Sequence, residues 1–143
     1  MRIKLDEGAF MPERAHELDA GYDLRSPSDF VLQGCSTLTS GVGMVTIDTG
    51  VHVELPPNTV GILKSKSGLN VNHDIIGTGV IDSGYSGSIR VKLYNLGNKP
   101  HEFKRGDKLI QLVIYPILTP ELELVDELSD SERGSRGFGS TGR

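Results

Sequence analysis

Two short segments of the 143-residue chain combine side chains that could bind a phosphate group and activate a water molecule. Residues 65–68 (SKSG) offer two hydroxyls, an ammonium group and a glycine that lets backbone N–H groups approach an anion closely. Residues 79–87 (GVIDSGYSG) place Asp82 and Tyr85 in a glycine-rich turn. A carboxylate beside a bound polyphosphate and a metal ion can act as a general base. A tyrosine ring can form a flat wall against a sugar.

The same segments also have structural interpretations, and local composition leaves both kinds open. Residues 65–68 could be the solvated end of a strand, with Lys64 and Lys66 on its outer face. Asp82 could stabilise the turn by bonding to its own backbone, and Tyr85 could pack against a neighbouring strand.

Three further segments carry polar groups that could act on a ligand. Residues 20–24 (AGYDL) place an acid between apolar residues, and residues 106–112 (GDKLIQL) predict a tight turn that leads into a strand. In isolation both are ordinary in a β-protein. Residues 133–142 (RGSRGFGSTG) contain two guanidinium groups, three hydroxyls and one aromatic ring among glycines. Guanidinium and hydroxyl groups suit phosphates and a phenyl ring can stack on a base, although a disordered tail has the same composition.

The hydrophobic pattern that must position these segments is that of β-strands. Apolar residues form short runs or alternate with polar ones over residues 45–55, 60–63, 88–94 and 109–114. Clusters of Gly, Pro, Asn and Asp separate these runs, and no segment shows a sustained helical stripe. The polar, glycine-rich residues 33–43 predict a long surface loop. We therefore predict an all-β fold, either a sandwich or a jelly-roll-like barrel.

Length and composition indicate one globular domain with a mobile tail. A chain of 143 residues with 36% hydrophobic and 24% charged residues is typical of a single soluble domain. Residues 129–143 have Phe138 as their only large apolar side chain, so their burial cannot offset the entropy of ordering them. We expect residues 1–128 to form the domain and residues 129–143 a mobile arm.

Composition also argues against several classes of protein. No apolar run approaches the roughly 20 residues of a membrane span, and residues 1–7 do not resemble a secretory signal, so we expect no membrane partner and a cytoplasmic location. A net charge of −4 argues against stable nucleic-acid binding, which depends on Lys and Arg. Cys35 is the single cysteine, which excludes an internal disulfide.

Taken together and in this order, five segments closely resemble the five motifs of the trimeric dUTPase family. They are AGYDLRS at 20–26, KSGL at 66–69, GVIDSGYSG at 79–87, GDKLIQL at 106–112 and RGSRGFGSTG at 133–142. The resemblance implies a jelly-roll-like, distorted β-barrel subunit that forms a homotrimer with three shared active sites. It also implies Mg²⁺-dependent hydrolysis of dUTP to dUMP and pyrophosphate, which limits uracil incorporation into DNA and supplies dUMP for thymidylate synthesis.

The resemblance implies a role for individual residues of this chain. Asp82 would hold the 3′-hydroxyl and activate the water that attacks the α-phosphorus, Tyr85 would pack on the deoxyribose, and Asp23 would bind Mg²⁺ through water. The hairpin backbone, with Gly79 and Ile81, would read the uracil edge. The remaining implied substrate-binding residues contact phosphates or close the site over the base, and they are Lys66, Ser67, Gly68, Gln111, Arg133, Phe138, Gly139, Ser140 and Thr141.

The chain departs from the family pattern at three places. The second motif usually carries Arg before Ser-Gly-Leu, whereas Lys66 keeps the charge but lacks the planar bidentate fork. Arg136 stands where small or acidic residues are often found. The loop at 33–43 looks longer than the family's usual turn.

Two alternative functions come from the same features. A dCTP deaminase shares the fold but would need a catalytic Glu after the hairpin, whereas residues 88–93 (SIRVKL) contain no acid. A binding module could use a dUTPase-like fold to sense dUTP and regulate a partner protein, with the 33–43 loop as a contact surface. Asp82 and Tyr85 favour catalysis over sensing alone.

Overall fold

The computed structural model describes residues 1–35, 41–131 and 134–135, and these ranges contain ten β-strands and one short helix. In chain order the elements are β1 Arg2–Leu5, β2 Gly21–Arg25, β3 Phe30–Leu32, β4 Gly43–Asp48, β5 Val51–Glu54, β6 Thr59–Ser65, α1 Ser67–His73, β7 Ile75–Asp82, β8 Arg90–Asn95, β9 His101–Phe103 and β10 Lys108–Pro116. The prediction of an all-β fold is confirmed.

Six strands form one antiparallel sheet in the order β2-β10-β6-β7-β8-β4. Two smaller antiparallel sheets, β1-β5 and β3-β9, account for the other strands of the described chain. Strand β10 lies between β2 and β6, so Gln111 is paired with Asp23 on one side and with Lys64 on the other. This register brings segments that are distant in sequence to one end of the sheet.

The core consists of the inward-facing side chains of the alternating strands. Val91 and Leu93 of β8 are buried while Arg90 and Lys92 are exposed, as a period of two requires. The fully buried large side chains are Phe103, Leu24, Leu32, Leu63, Ile75, Ile89, Leu93, Leu109, Ile110, Leu112, Val51 and Val91. Every buried side-chain nitrogen and oxygen in the described residues has a hydrogen-bond partner.

Helix α1 is an element that the hydrophobic pattern does not predict. It has seven residues, about two turns, and none of them is buried, so no helical stripe marks it in the sequence. It ends at Asp74, whose backbone is left-handed (φ 55°) and donates its N–H to Asn70 O. Within the described ranges, no helix is both long and apolar enough to cross a membrane.

The loop predicted at residues 33–43 connects β3 to β4, and its residues 36–40 lie outside the described parts of the chain. After β10, residues 117–131 form no strand or helix. The side chains of Leu118, Leu122, Leu124 and Leu128 in this segment are between 88% and 100% exposed.

Candidate active site

A buried carboxylate with two lysines lies at one end of the six-stranded sheet. The side chain of Asp23 on β2 is 3% exposed. Its Oδ1 accepts a hydrogen bond from Lys66 Nζ at 2.5 Å, and its Oδ2 lies 2.6 Å from Lys108 Nζ. Lys66 is therefore not a solvated residue on the outer face of a strand, because its ammonium group turns inward to Asp23.

The two ammonium groups keep Asp23 ionised. Burial alone would raise the pKa of Asp23, but the hydrogen bonds and charges of Lys108 and Lys66 outweigh it and hold the pKa below its ordinary value. This ion cluster is thus a fixed feature of the fold at neutral pH.

We expect Asp23→Asn to destabilise the protein at neutral pH by about 2–4 kcal/mol, because it leaves two ammonium groups without their counter-charge. The lowered pKa of Asp23 means that its contribution is present above the ordinary Asp pKa and is lost as pH falls through the lowered value. Urea unfolding at fixed protein concentration should therefore show a difference that shrinks below about pH 4.

Glu54→Gln is the matched control for this measurement, since it breaks the exposed Arg2–Glu54 pair, whose side chains are 83% and 58% exposed. It should leave the unfolding midpoint nearly unchanged. Equal midpoints for the parent and Asp23→Asn at pH 7 would show that the buried cluster does not stabilise the fold.

The start of helix α1 lies beside this cluster. Lys66 is the N-cap residue, and its side chain makes no capping bond to the helix. The first N–H groups of any helix lack partners inside the helix, so those of Ser67 and Gly68 are available to an anion. Both residues are exposed, and a Cβ atom built on Gly68 meets nothing within 4 Å. The hydroxyl of Ser65 fixes the end of β6 by bonding to both the N–H and the carbonyl of Gly77.

Gln111 is also at this end of the sheet. It lies on β10 and is half-buried, and Gly21 of β2 makes room for it, because a Cβ on Gly21 would come within 2.9 Å of Gln111 Cβ. Lys66, Ser67, Gly68, Gln111 and Asp23 are therefore brought to one region, and we call this set the phosphate half-site.

An open cleft of about 530 Å³ adjoins the phosphate half-site. Its basic lining residues are Arg25, Lys66, Lys108, His73 and His101, and Asp107 is its acidic lining residue. Arg25 is held in place by a 2.9 Å bond from Nη1 to Gly106 O. The excess of basic groups suits an anionic ligand.

A second group of predicted residues lies on the hairpin that follows β7. Asp82 ends β7 and is exposed. Tyr85 donates its N–H to Asp82 O at 3.0 Å and its hydroxyl to Ser88 O at 2.9 Å. A Cβ on Gly87 would come within 2.4 Å of the Tyr85 hydroxyl, so a glycine is needed there for the ring to lie across the turn.

The backbone leading to Asp82 has a free edge. Strand β6 pairs with β7 from Thr78 to Asp82, but β8 pairs with β7 only from Ile75 to Gly77. In the described chain no strand covers the other edge of residues 78–82, which leaves backbone N–H and C=O groups available. The Ile81 side chain is 7% exposed and points into the core, so this residue can contact a ligand only through its backbone. We call Gly79, Ile81, Asp82 and Tyr85 the nucleoside half-site.

Asp82 and the phosphate half-site lie at opposite ends of the β6–β7 ladder, whereas Gly79 is paired with Leu63 near the phosphate end. Asp82 is paired with Val60, and Thr78 with Lys64. At about 3.3 Å per residue, the run from Val60 to Lys66 separates Asp82 from the phosphate half-site by up to about 20 Å. An extended strand of that length exceeds the reach from a sugar to the phosphates attached to it, which favours a site that takes Asp82 and Lys66 from different chains.

Five of the predicted substrate-binding residues are not placed in either half-site. They lie outside the described residues, and they are Arg133, Phe138, Gly139, Ser140 and Thr141.

Two cations that the sequence does not single out, Lys108 and Arg25, line the cleft. Both lie inside motifs quoted above, but their contacts depend on the β2–β10 register, which local sequence does not reveal.

Comparison with known proteins identifies the family. The profile of the dUTPase family matches residues 7–142, nearly the whole chain. The chain belongs to the dUTPase family. It is 40% identical over 142 residues to the deoxyuridine 5′-triphosphate nucleotidohydrolase of Clostridium acetobutylicum, covering 97% of this chain and 93% of that protein.

Solved structures of dUTPases share the fold. The dUTPase of Staphylococcus bacteriophage 80alpha with dUPNHPP is 35% identical with a TM-score of 0.83, covering 99% of this chain and 98% of that one. A D95N mutant dUTPase from phage phi11 of S. aureus, solved to describe the coordination of a structural Mg(II) ion, is 32% identical with a TM-score of 0.77, covering 90% and 98%. The predicted jelly-roll-like fold and dUTP-hydrolysing activity are therefore confirmed.

Proposed function

We propose that this member of the dUTPase family hydrolyses dUTP at a site shared between subunits of a homotrimer, with Asp82 as the general base. The observation that carries the proposal is the pair of half-sites, one basic and one with a free backbone edge, whose residues Lys66 and Asp82 lie up to about 20 Å apart along one chain. A second copy of the chain can place its phosphate half-site beside the nucleoside half-site of the first.

The nucleoside half-site suits uracil and deoxyribose. The free edge from Thr78 to Asp82 offers alternating N–H and C=O groups, which can pair with the donor and acceptor edge of a pyrimidine as a strand would. Tyr85 is 43% exposed and can lie flat against a sugar, leaving no room for a 2′-hydroxyl. This half-site selects the base and the sugar.

Asp82 is placed to act on water. Its carboxylate accepts a proton from the water as the oxygen forms a bond to the α-phosphorus. The bond between the α-phosphorus and the oxygen bridging to the β-phosphate breaks, so pyrophosphate leaves and dUMP remains. Exposure of Asp82 at the tip of β7 leaves its oxygens free for this role and for the 3′-hydroxyl.

The phosphate half-site holds the triphosphate. Ser67, Gly68 and Gln111 present donors, and an ammonium group has three protons, so Lys66 can bond to Asp23 and to a phosphate at once. Lys66 therefore does not need the bidentate fork of Arg to serve both partners.

The residues fit a Mg²⁺ ion bound mainly by phosphates and water. In the described chain no cluster of three His, Cys, Asp or Glu side chains could enclose a metal, and both oxygens of Asp23 contact lysines. Magnesium commonly takes one carboxylate together with substrate phosphates and several waters. Asp23 would hold it through water, and the bound ion would neutralise phosphate charge.

The segment after β10 supports assembly with other copies of the chain. Leu118, Leu122, Leu124 and Leu128 are almost wholly exposed, and monomeric proteins rarely expose so many apolar side chains along one segment. We propose that residues 129–143 continue from it as an arm to a neighbouring site. There Arg133, Ser140 and Thr141 would bind the γ-phosphate, with Gly139 allowing close approach, and Phe138 would stack on uracil.

Pyrophosphate release from a panel of nucleoside triphosphates tests this assignment. We expect rapid release from dUTP and little from dCTP or UTP, because the β7 edge selects the base and Tyr85 excludes the 2′-hydroxyl. Tyr85→Ala should lower the preference for dUTP over UTP by about tenfold or more, and Tyr94→Ala, which lies away from the turn, is the control. Equal kcat/KM for UTP and dUTP in the parent would remove Tyr85 as the sugar-selecting residue.

A further inference from the structure

His52 connects the N-terminal strand to the hairpin that carries Tyr85. It lies on β5, and its side chain is 18% exposed. Ring atom Nδ1 is 2.9 Å from the carbonyl oxygen of Ser86, and Nε2 is 2.9 Å from Asp6 Oδ2. Asp6 is itself fixed to the fold, because its backbone N–H donates to Gly50 O at 2.8 Å.

Both partners of the His52 ring can only accept hydrogen bonds. A backbone carbonyl and a carboxylate have no proton to donate, so Nδ1 and Nε2 must both act as donors. His52 is therefore an imidazolium ion in this arrangement. In agreement, the hydrogen bonds to Asp6 and to the Ser86 carbonyl raise the pKa of His52 above its ordinary value.

The contact at Ser86 holds the centre of the turn. Tyr85 bonds to Asp82 and Ser88, which belong to the same hairpin, and Ile89 N–H donates to Val51 O where the next strand begins. Among the hydrogen bonds of the described residues, the bond from His52 is the one that ties residues 83–87 to another element. Ser88, which accepts the Tyr85 hydroxyl, also donates its own hydroxyl to Asp48. The position of Tyr85 thus depends on His52 at the centre of the turn and on Asp48 at its end.

We propose that His52 is a positioning residue for dUTP binding, whose doubly protonated ring fixes the turn and so places Tyr85 against the deoxyribose. The inference rests on the proposed role of Tyr85. When the ring loses one proton, the remaining N–H stays with the Asp6 carboxylate, since a charge-assisted bond is the stronger one. Nδ1 then presents a lone pair to the lone pairs of the Ser86 oxygen, and the turn is released.

The charged groups around His52 set the direction of the pH effect. From the β1 side, Asp6 favours the imidazolium and Lys4 opposes it, while Lys4 Nζ also lies 3.6 Å from Asp6 Oδ1. The charge of Asp6 also acts to raise the pKa of Asp48 on β4, and on the hairpin side the partner of His52 is the neutral Ser86 carbonyl. Because the folded-state pKa of His52 is raised, the bond to Ser86 is present at and below the ordinary His pKa. It is lost as pH rises through the raised value.

Steady-state kinetics of His52→Gln, with His16→Gln as control, test the proposal. His16 also contacts an aspartate, Asp19, but its side chain is 84% exposed and lies in neither half-site. We expect His52→Gln to raise KM for dUTP about 3- to 10-fold near pH 7 with kcat within about twofold of the parent. It should also lower the preference for dUTP over UTP and remove the rise in KM that we expect of the parent as pH rises through the raised pKa of His52. His16→Gln should keep the parent profile.

Proton–nitrogen NMR of the histidine rings gives a readout that does not depend on activity. In the parent at pH 7, both ring nitrogens of His52 should be protonated, the pKa of His52 should lie above the ordinary histidine value, and Asp6→Asn should lower it. A neutral His52 at pH 7 would overturn the proposal. So would a His52→Gln protein that melts at a lower temperature yet keeps the parent KM and pH profile, because that result assigns a purely structural role. A parent protein without dUTP hydrolysis would instead refute the proposed function, and the NMR result would still stand.

Discussion

Replacing Asp82 by Asn should lower kcat for dUTP by about 10²- to 10⁴-fold. The amide has nearly the same size as the carboxylate and can still bond to a 3′-hydroxyl, but it cannot accept the proton of the attacking water. Asp82 is exposed at the end of β7, so the change removes no buried contact and should leave the melting temperature unaltered. The loss should therefore appear in kcat, with the affinity for a non-hydrolysable analogue such as dUPNHPP almost unchanged.

Asp19→Asn is a suitable control, because the Asp19 side chain is 42% exposed and contacts His16 outside both half-sites. It should hydrolyse dUTP at the parent rate. Turnover by Asp82→Asn within a few fold of the parent would mean that another residue activates the water. A variant that loses analogue binding as well as turnover would assign Asp82 to binding instead.

Strands β4, β5, β6, β8 and β10 could be predicted from the sequence because their apolar residues alternate or form short runs, whereas β1, β3 and β9 have only three or four residues and show no clear period. The alternation of Val91 and Leu93 with exposed neighbours follows directly from the period of a strand, and the structure places these side chains in the core. Helix α1 could not be predicted, since it buries none of its seven residues and therefore has no hydrophobic period to detect. The hydrophobic period of a segment reflects which of its residues are buried, so an exposed element has no clear period to detect.

The candidate site residues could be proposed from the order of their motifs along the chain, but their arrangement could not. The ion cluster of Asp23, Lys66 and Lys108 depends on β10 lying between β2 and β6, a register set by contacts distant in sequence. Nothing near Lys66 in the sequence indicates that it turns inward to Asp23. The contacts of His52 could not be predicted for the same reason, because its partners Asp6 and Ser86 lie 46 and 34 residues from it in the sequence.

The separation of the two half-sites along the β6–β7 ladder leads to a test by mixing inactive chains. One chain carries Asp82→Asn, and the other carries Ser67→Ala with Gln111→Ala, which removes two phosphate ligands. Each variant alone should lose about 100-fold or more in kcat/KM, because hydrogen bonds to charged groups contribute about 1.5–3 kcal/mol each. In trimers formed at random from equal amounts, the subunit that supplies Asp82 to a site carries an intact Asp82 in about half of cases, and the subunit that supplies Ser67 carries an intact Ser67 in about half. A site that takes these residues from two subunits is therefore intact in about a quarter of cases.

The mixture should therefore recover about a quarter of the parent activity, although neither of its components is active. Native mass spectrometry must first show that trimers containing both chains have formed. If Asp82 and Ser67 of the same chain served one site, every site in the mixture would carry one of the two defects, and activity would not exceed the sum of the two variants. That result, with mixed trimers present, would place the whole site within one chain. It would also require the ends of the β6–β7 ladder to come much closer together than the pairing of Asp82 with Val60 and of Thr78 with Lys64 allows.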